Sequence, residues 1–191
     1  QPLHTNLRYE EELRGLRATL LKMGGLVERQ IAEAIDALVN RDTELAKEVI
    51  ARDKEVNRMD IETDETCIRL LALHQPMAID LRAIVAAMKI DTDLERVGDL
   101  AVNSAEAATR YLQHRPVKPL IDLPRMSEIA EGMLRDALDA FIRRDTSLAQ
   151  SVLDRDDNLD ALKNQVFRAL LTYMIETPTK IEASLDPILI S

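Results

Sequence analysis

A chain of 191 residues with 34 acidic and 25 basic side chains carries a formal net charge of −9, which argues against nucleic acid as its main partner. Its single cysteine, Cys67, excludes an intrachain disulfide and fits a reducing cytosol. No stretch approaches the ~18 uncharged apolar residues of a membrane span, and Leu, Ala, Glu, Arg and Asp dominate over 5 Gly and 7 Pro, so long helices are expected rather than sheets.

The opening Gln-Pro-Leu-His-Thr-Asn has none of the features of a signal peptide. It lacks an initiator Met, so an upstream start is expected. Leu13, Leu16, Leu20, Met23, Val27, Ile31, Ala34 and Leu38 then recur every three or four residues. That spacing predicts a first helix over residues 7–40, about 50 Å long. Its average period is close to that of helices packed in antiparallel bundles. Arg41-Asp42-Thr43 breaks the pattern, and Asp42 or Thr43 can cap the next helix.

A second helix is predicted over residues 44–73, with Leu45, Val49, Val56, Met59, Cys67 and Leu71 on its apolar stripe. Pro76 ends it, because proline disfavours helical geometry at the preceding residue. A third helix is predicted over 78–113, with Leu81, Ile84, Val85, Met88, Leu94 and Val102 on its apolar side. Leu13, Leu20, Val27, Val49, Val56, Leu81, Val85 and Met88 are expected to fill the core between these three helices. Residues 114–124 hold Pro116, Pro119 and Pro124 and read as a linker.

Past the linker the pattern restarts. At a fixed offset of 103, Met23 matches Met126, Asp36-Ala37 matches Asp139-Ala140, and Arg41-Asp42-Thr43 matches Arg144-Asp145-Thr146. Leu45-Ala46, Val49, Arg52 and Asp53 likewise match Leu148-Ala149, Val152, Arg155 and Asp156. An internal duplication of a three-helix unit is the natural reading. The fold class predicted is all-α, as two tandem three-helix bundles. The first repeat spans 1–113, the linker 114–124 and the second repeat 125–191. Pro76 pairs with Pro178, so the last helix of the second copy is expected to be truncated at the end of the chain.

The negative charge is concentrated in three segments. Residues 42–65 are net −5, residues 91–106 net −4 and residues 154–160 net −3. On the second helix Asp53, Asn57, Asp60 and Asp64 share one face, as do Asp91, Glu95 and Asp99 on the third. Asp156 and Asp160 repeat the four-residue step in the second copy. Like charges so placed repel unless a cation lies between them, and hard oxygen ligands suit Mg²⁺, Ca²⁺, Mn²⁺ or iron. A solvated face beside Arg52, Arg58 and Arg96 is the competing reading of the same acids. His4, His74 and His114 form no Glu-x-x-His pair of the di-iron kind. His74 reads as a helix-end residue, with a phosphotransfer role unsupported by its surroundings, and Cys67 reads as core. No glycine-rich phosphate loop or nucleophile–base pair is present.

The segment LLALHQPMAIDLRAIVAAMKIDTDLERVGDLAVNSAE resembles the signature of the PhoU family of phosphate-uptake regulators. Pro76, Ala78, Asp80, Leu81 and Arg82 match its Pro-x-Ala-x-Asp-Leu-Arg lead-in to the third helix. Asp93-Leu94-Glu95-Arg96-Val97-Gly98-Asp99 matches its Asp-Leu-Glu-Arg-(Ile/Val)-Gly-Asp run, and Asn103 and Glu106 complete it. The resemblance implies two three-helix bundles side by side, and iron or other metal clusters held by (Glu/Asp)-x-x-x-Asp motifs. Glu95 with Asp99 matches one motif and Asp156 with Asp160 another. Asp53 and Asn57 match in position, with Asn57 departing from the acidic consensus. The cofactor so implied is a metal ion: iron, manganese, magnesium or zinc.

The resemblance further implies a non-enzymatic regulator of phosphate uptake and phosphate-starvation signalling. It would restrain the ATPase of the phosphate ABC transporter and a phosphate-sensing histidine kinase. It would sit in the cytoplasm, peripheral to the inner membrane through these partners, with a homodimer expected. A helical adaptor that binds no metal is the alternative, and a hydrolase built on a carboxylate-bridged metal pair is a third reading.

Overall fold

The computed structural model describes residues 2–113, 122–176 and 190. The predicted third helix of the second copy and most of the linker lie outside the described residues. Five helices run in order: α1 (Pro2–Asn40), α2 (Thr43–His74), α3 (Ala78–Tyr111), α4 (Asp122–Arg143) and α5 (Thr146–Glu176). There is no strand among the described residues. α4 begins inside the stretch read as linker, and Pro124 lies in its first turn, where the N–H that proline lacks has no intrahelical partner to lose.

α1, α2 and α3 pack against one another pairwise, and α4 packs on both α1 and α5. Burial follows a 3.5-residue seam on each helix of the first repeat. On α1 it runs through Leu16, Leu20, Met23, Val27, Gln30, Ala34 and Ala37. On α3 it runs through Ile84, Ala87, Asp91, Leu94, Gly98, Ala101, Ala105 and Ala108. Of the core residues expected from the sequence, Leu20, Val27, Val49 and Val56 are buried, and Leu13 and Met88 are partly buried. Leu81 and Val85 do not belong to this core: they are 41% and 40% exposed. Asp91 and Gly98 hold the seam positions, which rotates the buried face of α3 away from Leu81 and Val85.

Two glycines let the helices meet. A side chain at Gly98 would bring its Cβ to 3.3 Å from Val56 Cγ1 and 3.6 Å from Val27 Cγ2, so α1, α2 and α3 converge there. A Cβ at Gly24 would collide with the Leu138 side chain, so α1 and α4 are in close contact at that level. Arg135 of α4 pairs with Glu28 of α1 across the same interface.

The duplication is visible in local geometry. Arg41 and Arg144, at φ 58° and 55°, occupy the left-handed region just before each second helix. Asp42 and Asp145 follow, and their carboxylates accept from the Leu45 and Leu148 N–H at 3.0 and 2.9 Å. Arg52 pairs with Glu33, and at the same offset Arg155 pairs with Asp136.

Candidate metal centre

α2 and α3 leave the short turn at Gln75, Pro76 and Met77. Gln75 takes a left-handed conformation there (φ 45°, ψ 55°), and its N–H donates to the Leu71 carbonyl. The two helices return antiparallel, so the acids of one come level with those of the other. Asp53 and Asp60 are half-buried on the packed side of α2, whereas Asn57 and Asp64 are exposed. On α3, Asp91 is buried, Glu95 half-buried and Asp99 exposed.

The electrostatics show which acids meet. Glu95 titrates above its ordinary value, chiefly through loss of solvent and then through the charges of Asp99, Asp60 and Asp53. Its carboxyl is also within hydrogen-bonding reach of Asp99. Asp53 and Asp60 of α2 therefore lie close enough to Glu95 of α3 to act on its charge. Burial, reinforced by Asp60 and Asp64, pushes Asp91 up to about 7. Asp60 is raised by burial and by Asp64, and its carboxyl reaches that of Asp91. Two carboxyls at that range share a proton, accept a cation or repel.

Asn57 Nδ2 donates to Asp53 Oδ2 at 2.7 Å. That leaves Asp53 Oδ1 buried without a hydrogen-bond partner. Asp156 and Asp160 are both exposed on α5, and the third-helix face they were expected to meet lies outside the described residues. Among the described residues, no three His, Cys, Asp or Glu side chains are drawn together as a closed ligand set. The donor chemistry nonetheless fits a hard cation: carboxylate oxygens from two rigid helices, one of them unsatisfied. Asp53, Glu95 and Asp99 would hold it, and Asn57 would have to rotate its amide to join them.

Of the remaining candidates, Cys67 is buried and its thiol is pushed up to about 11 by burial, with Asp91 and Asp64 adding to the shift. Such a thiol is inert. His74 closes the end of α2, its Nε2 3.6 Å from Glu12 and its ring centroid 4.9 Å from that of Tyr9. Sequence reasoning placed Asp91 on the acidic face without seeing that it is buried. Its period with Ile84, Ala87, Leu94 and Gly98 was the available signal. It also missed Gln30 and Thr63, polar residues that are fully enclosed in the same seam.

A model of the PhoU domain matches residues 20–108 and again residues 123–191. The chain belongs to the PhoU family. The phosphate-specific transport system accessory protein PhoU homolog of Aquifex aeolicus is 40% identical over 92% of this chain and 79% of that protein. The homolog of Caulobacter vibrioides is 41% identical over 94% of this chain and 79% of its own length. The crystal structure of PhoU from Pseudomonas aeruginosa matches with a TM-score of 0.91 at 38% identity, covering 95% of this chain and 88% of that one. The all-helical, twice-repeated PhoU architecture is therefore that of this chain.

Proposed function

We propose that this PhoU protein regulates a phosphate-specific transport system as an accessory protein that catalyses no reaction itself. The observation that carries the reading is that the PhoU domain matches once on each repeat, while relatives named as transport-system accessory proteins align over more than nine-tenths of the chain. No helix among the described residues is long and apolar enough to cross a membrane, so action at the membrane would pass through partners. The partners proposed are the ATPase of a phosphate ABC transporter and a phosphate-sensing histidine kinase, contacted from the cytoplasmic side by a homodimer. Regulation would be negative, restraining uptake and starvation signalling when phosphate is plentiful.

The test is removal of the gene in its own host, followed by phosphate uptake and a phosphate-starvation reporter in phosphate-rich medium. Both should rise, and the wild-type chain, in its full-length context, should restore them. Unchanged uptake and reporter in the deletion strain would overturn the reading. Purified ATPase subunit titrated against the protein then tests the partner directly.

A metal on the α2–α3 seam belongs to the same proposal, held by Asp53, Glu95 and Asp99. Its support is the convergence of these carboxylates and the unpartnered Asp53 Oδ1. The metal-free adaptor is the second reading, favoured by the absence of a closed ligand set among the described residues. Metal analysis of the protein purified without chelator separates the two.

A further inference from the structure

Three buried polar atoms without a hydrogen-bond partner belong to side chains that meet around His74: Tyr9 Oη and Glu12 Oε2 of α1, and His74 Nε2 of α2. His74 ends α2, and its side chain is only 11% exposed. Its Nε2 stands 3.6 Å from Glu12 Oε2, too far for a hydrogen bond but within reach of an ion pair. The other Glu12 oxygen, Oε1, accepts from Arg8 Nε at 3.0 Å. The Tyr9 ring lies against the imidazole, with centroids 4.9 Å apart. Asp80 of α3 and Arg17 of α1 act on Tyr9, and Arg69 of α2 acts on Glu12. The charged and titratable groups around the imidazole are thus Tyr9, Glu12, Arg8 and Arg17 of α1, Arg69 of α2 and Asp80 of α3. Just beyond His74 the chain turns through Gln75 and Ala78, both held at positive φ, 45° and 49°. Such a backbone persists only where the surrounding contacts hold it.

We propose that His74 is a proton-operated latch between the N-terminal part of α1 and the α2–α3 turn, closed when the imidazole is charged and open when it is neutral. It shares no residue with the metal reading above. In the closed state Nε2–H donates to Glu12 Oε2, and two orphaned atoms satisfy one another. That bond is charge-assisted and so about twice as strong as a neutral one. It also lies at the C-terminal end of α2, where the helix dipole favours a cation. Glu12 keeps its charge throughout. Burial alone would raise its titration, but Arg8, His74 and Arg69 outweigh burial and hold it below its ordinary value. The proton that works the latch is therefore the imidazole's, and histidine is the side chain that changes charge between about pH 5 and 8. On the alkaline side of that range the ion pair is lost, and the positive-φ turn and the first turns of α1 loosen while the bundle stays folded.

Amide hydrogen exchange at about pH 6 and about pH 8, corrected for the intrinsic pH dependence of exchange, tests this on the wild type, His74→Gln, Glu12→Gln and His74→Arg. In the wild type, residues 8–17 and 71–80 should lose about threefold in protection between the two pH values, the size of a half-buried ion pair. Amides of α4 report changes in global stability and should not share that excess. His74→Gln and Glu12→Gln should be poorly protected in both segments at either pH. His74→Arg, permanently charged, should be well protected at both. The ring titration of His74, followed by NMR, supplies a readout that packing alone would not move: Glu12→Gln should weaken its proton affinity by about threefold. Equal protection at the two pH values in the wild type would overturn the latch. So would a wild-type pH response in His74→Gln or Glu12→Gln, or a His74 titration that Glu12→Gln leaves in place.

Discussion

Asp91 is an acid in a core position, and the stability of the metal-free protein should register it. In the unfolded chain its carboxyl titrates near 3.8, and in the fold at about 7. Between those values the native state holds a proton that the unfolded state has released. Its contribution is therefore fully present below about pH 4, declines as pH rises and levels off above about pH 7. The loss is on the order of a few kcal/mol. Urea denaturation in chelator should give a lower unfolding free energy at about pH 8 than at about pH 5. Asp91→Asn should raise the value at about pH 8 and shrink the difference, and an undiminished difference in the variant would refute the assignment. The apolar neighbours offer a plainer contrast. Val56 is fully enclosed against Gly98, so Val56→Ala should cost about 2–3 kcal/mol through lost burial and the cavity left behind. Leu81→Ala, at a position outside this core and 41% exposed, should cost under about 1 kcal/mol.

At the scale of helices, caps and repeats were legible and the phase of α3 was not. Asp42 and Asp145 stand where a helix start needs an acceptor, and a carboxylate before a periodic run announces itself without tertiary information. Ala replacing either aspartate should cost about 1 kcal/mol, by similar amounts in the two repeats. Chemical denaturation showing a large effect at one cap and none at the other would mean the two turns are not equivalent. Their arginines should differ. Arg41 donates to the Leu112 carbonyl at 2.8 Å and lies over the Tyr111 ring. Arg144 makes no such tie among the described residues, so relieving its left-handed backbone by Arg144→Gly should be better tolerated than Arg41→Gly. The face of α3 could not be read because the seam contains Asp91, Gly98 and four alanines. A hydropathy pattern weights Leu81 and Val85 above all of these. The acids met the same limit: their spacing showed which shared a helix face, but how far each is buried depends on how α2 and α3 are rotated against one another. Asn57 shows it most directly, since only the fold reveals that its amide nitrogen donates to Asp53.

For the molecule as a whole, the first repeat carries the seam and is tied to the second through α1 and α4. Leu138 of α4 lies in the core of the first repeat, and Ile35 and Leu38 of α1 lie in a cluster with Val166 and Leu170 of α5. A cation bound between α2 and α3 should therefore stabilise the folded chain as a unit. At a free concentration near a hundred times its dissociation constant, it adds about 2.7 kcal/mol. For a chain of this length that corresponds to a rise in Tm of roughly 5–10 °C. Glu95→Ala/Asp99→Ala should respond less to Mn²⁺, because two of the three proposed ligands are gone. Without metal, the same variant should melt no lower than wild type and up to a few degrees higher. Two carboxylates that repel across one helical turn have been removed, and one of them is already held above its ordinary titration range by burial and by its neighbours. Asp156→Asn/Asp160→Asn, on an exposed face of α5, should leave the Mn²⁺ shift of this chain at its wild-type size. Calorimetric scans of the three proteins with chelator and with Mn²⁺ decide the matter. Equal shifts in wild type and the Glu95/Asp99 variant would return those two acids to the role of a solvated face.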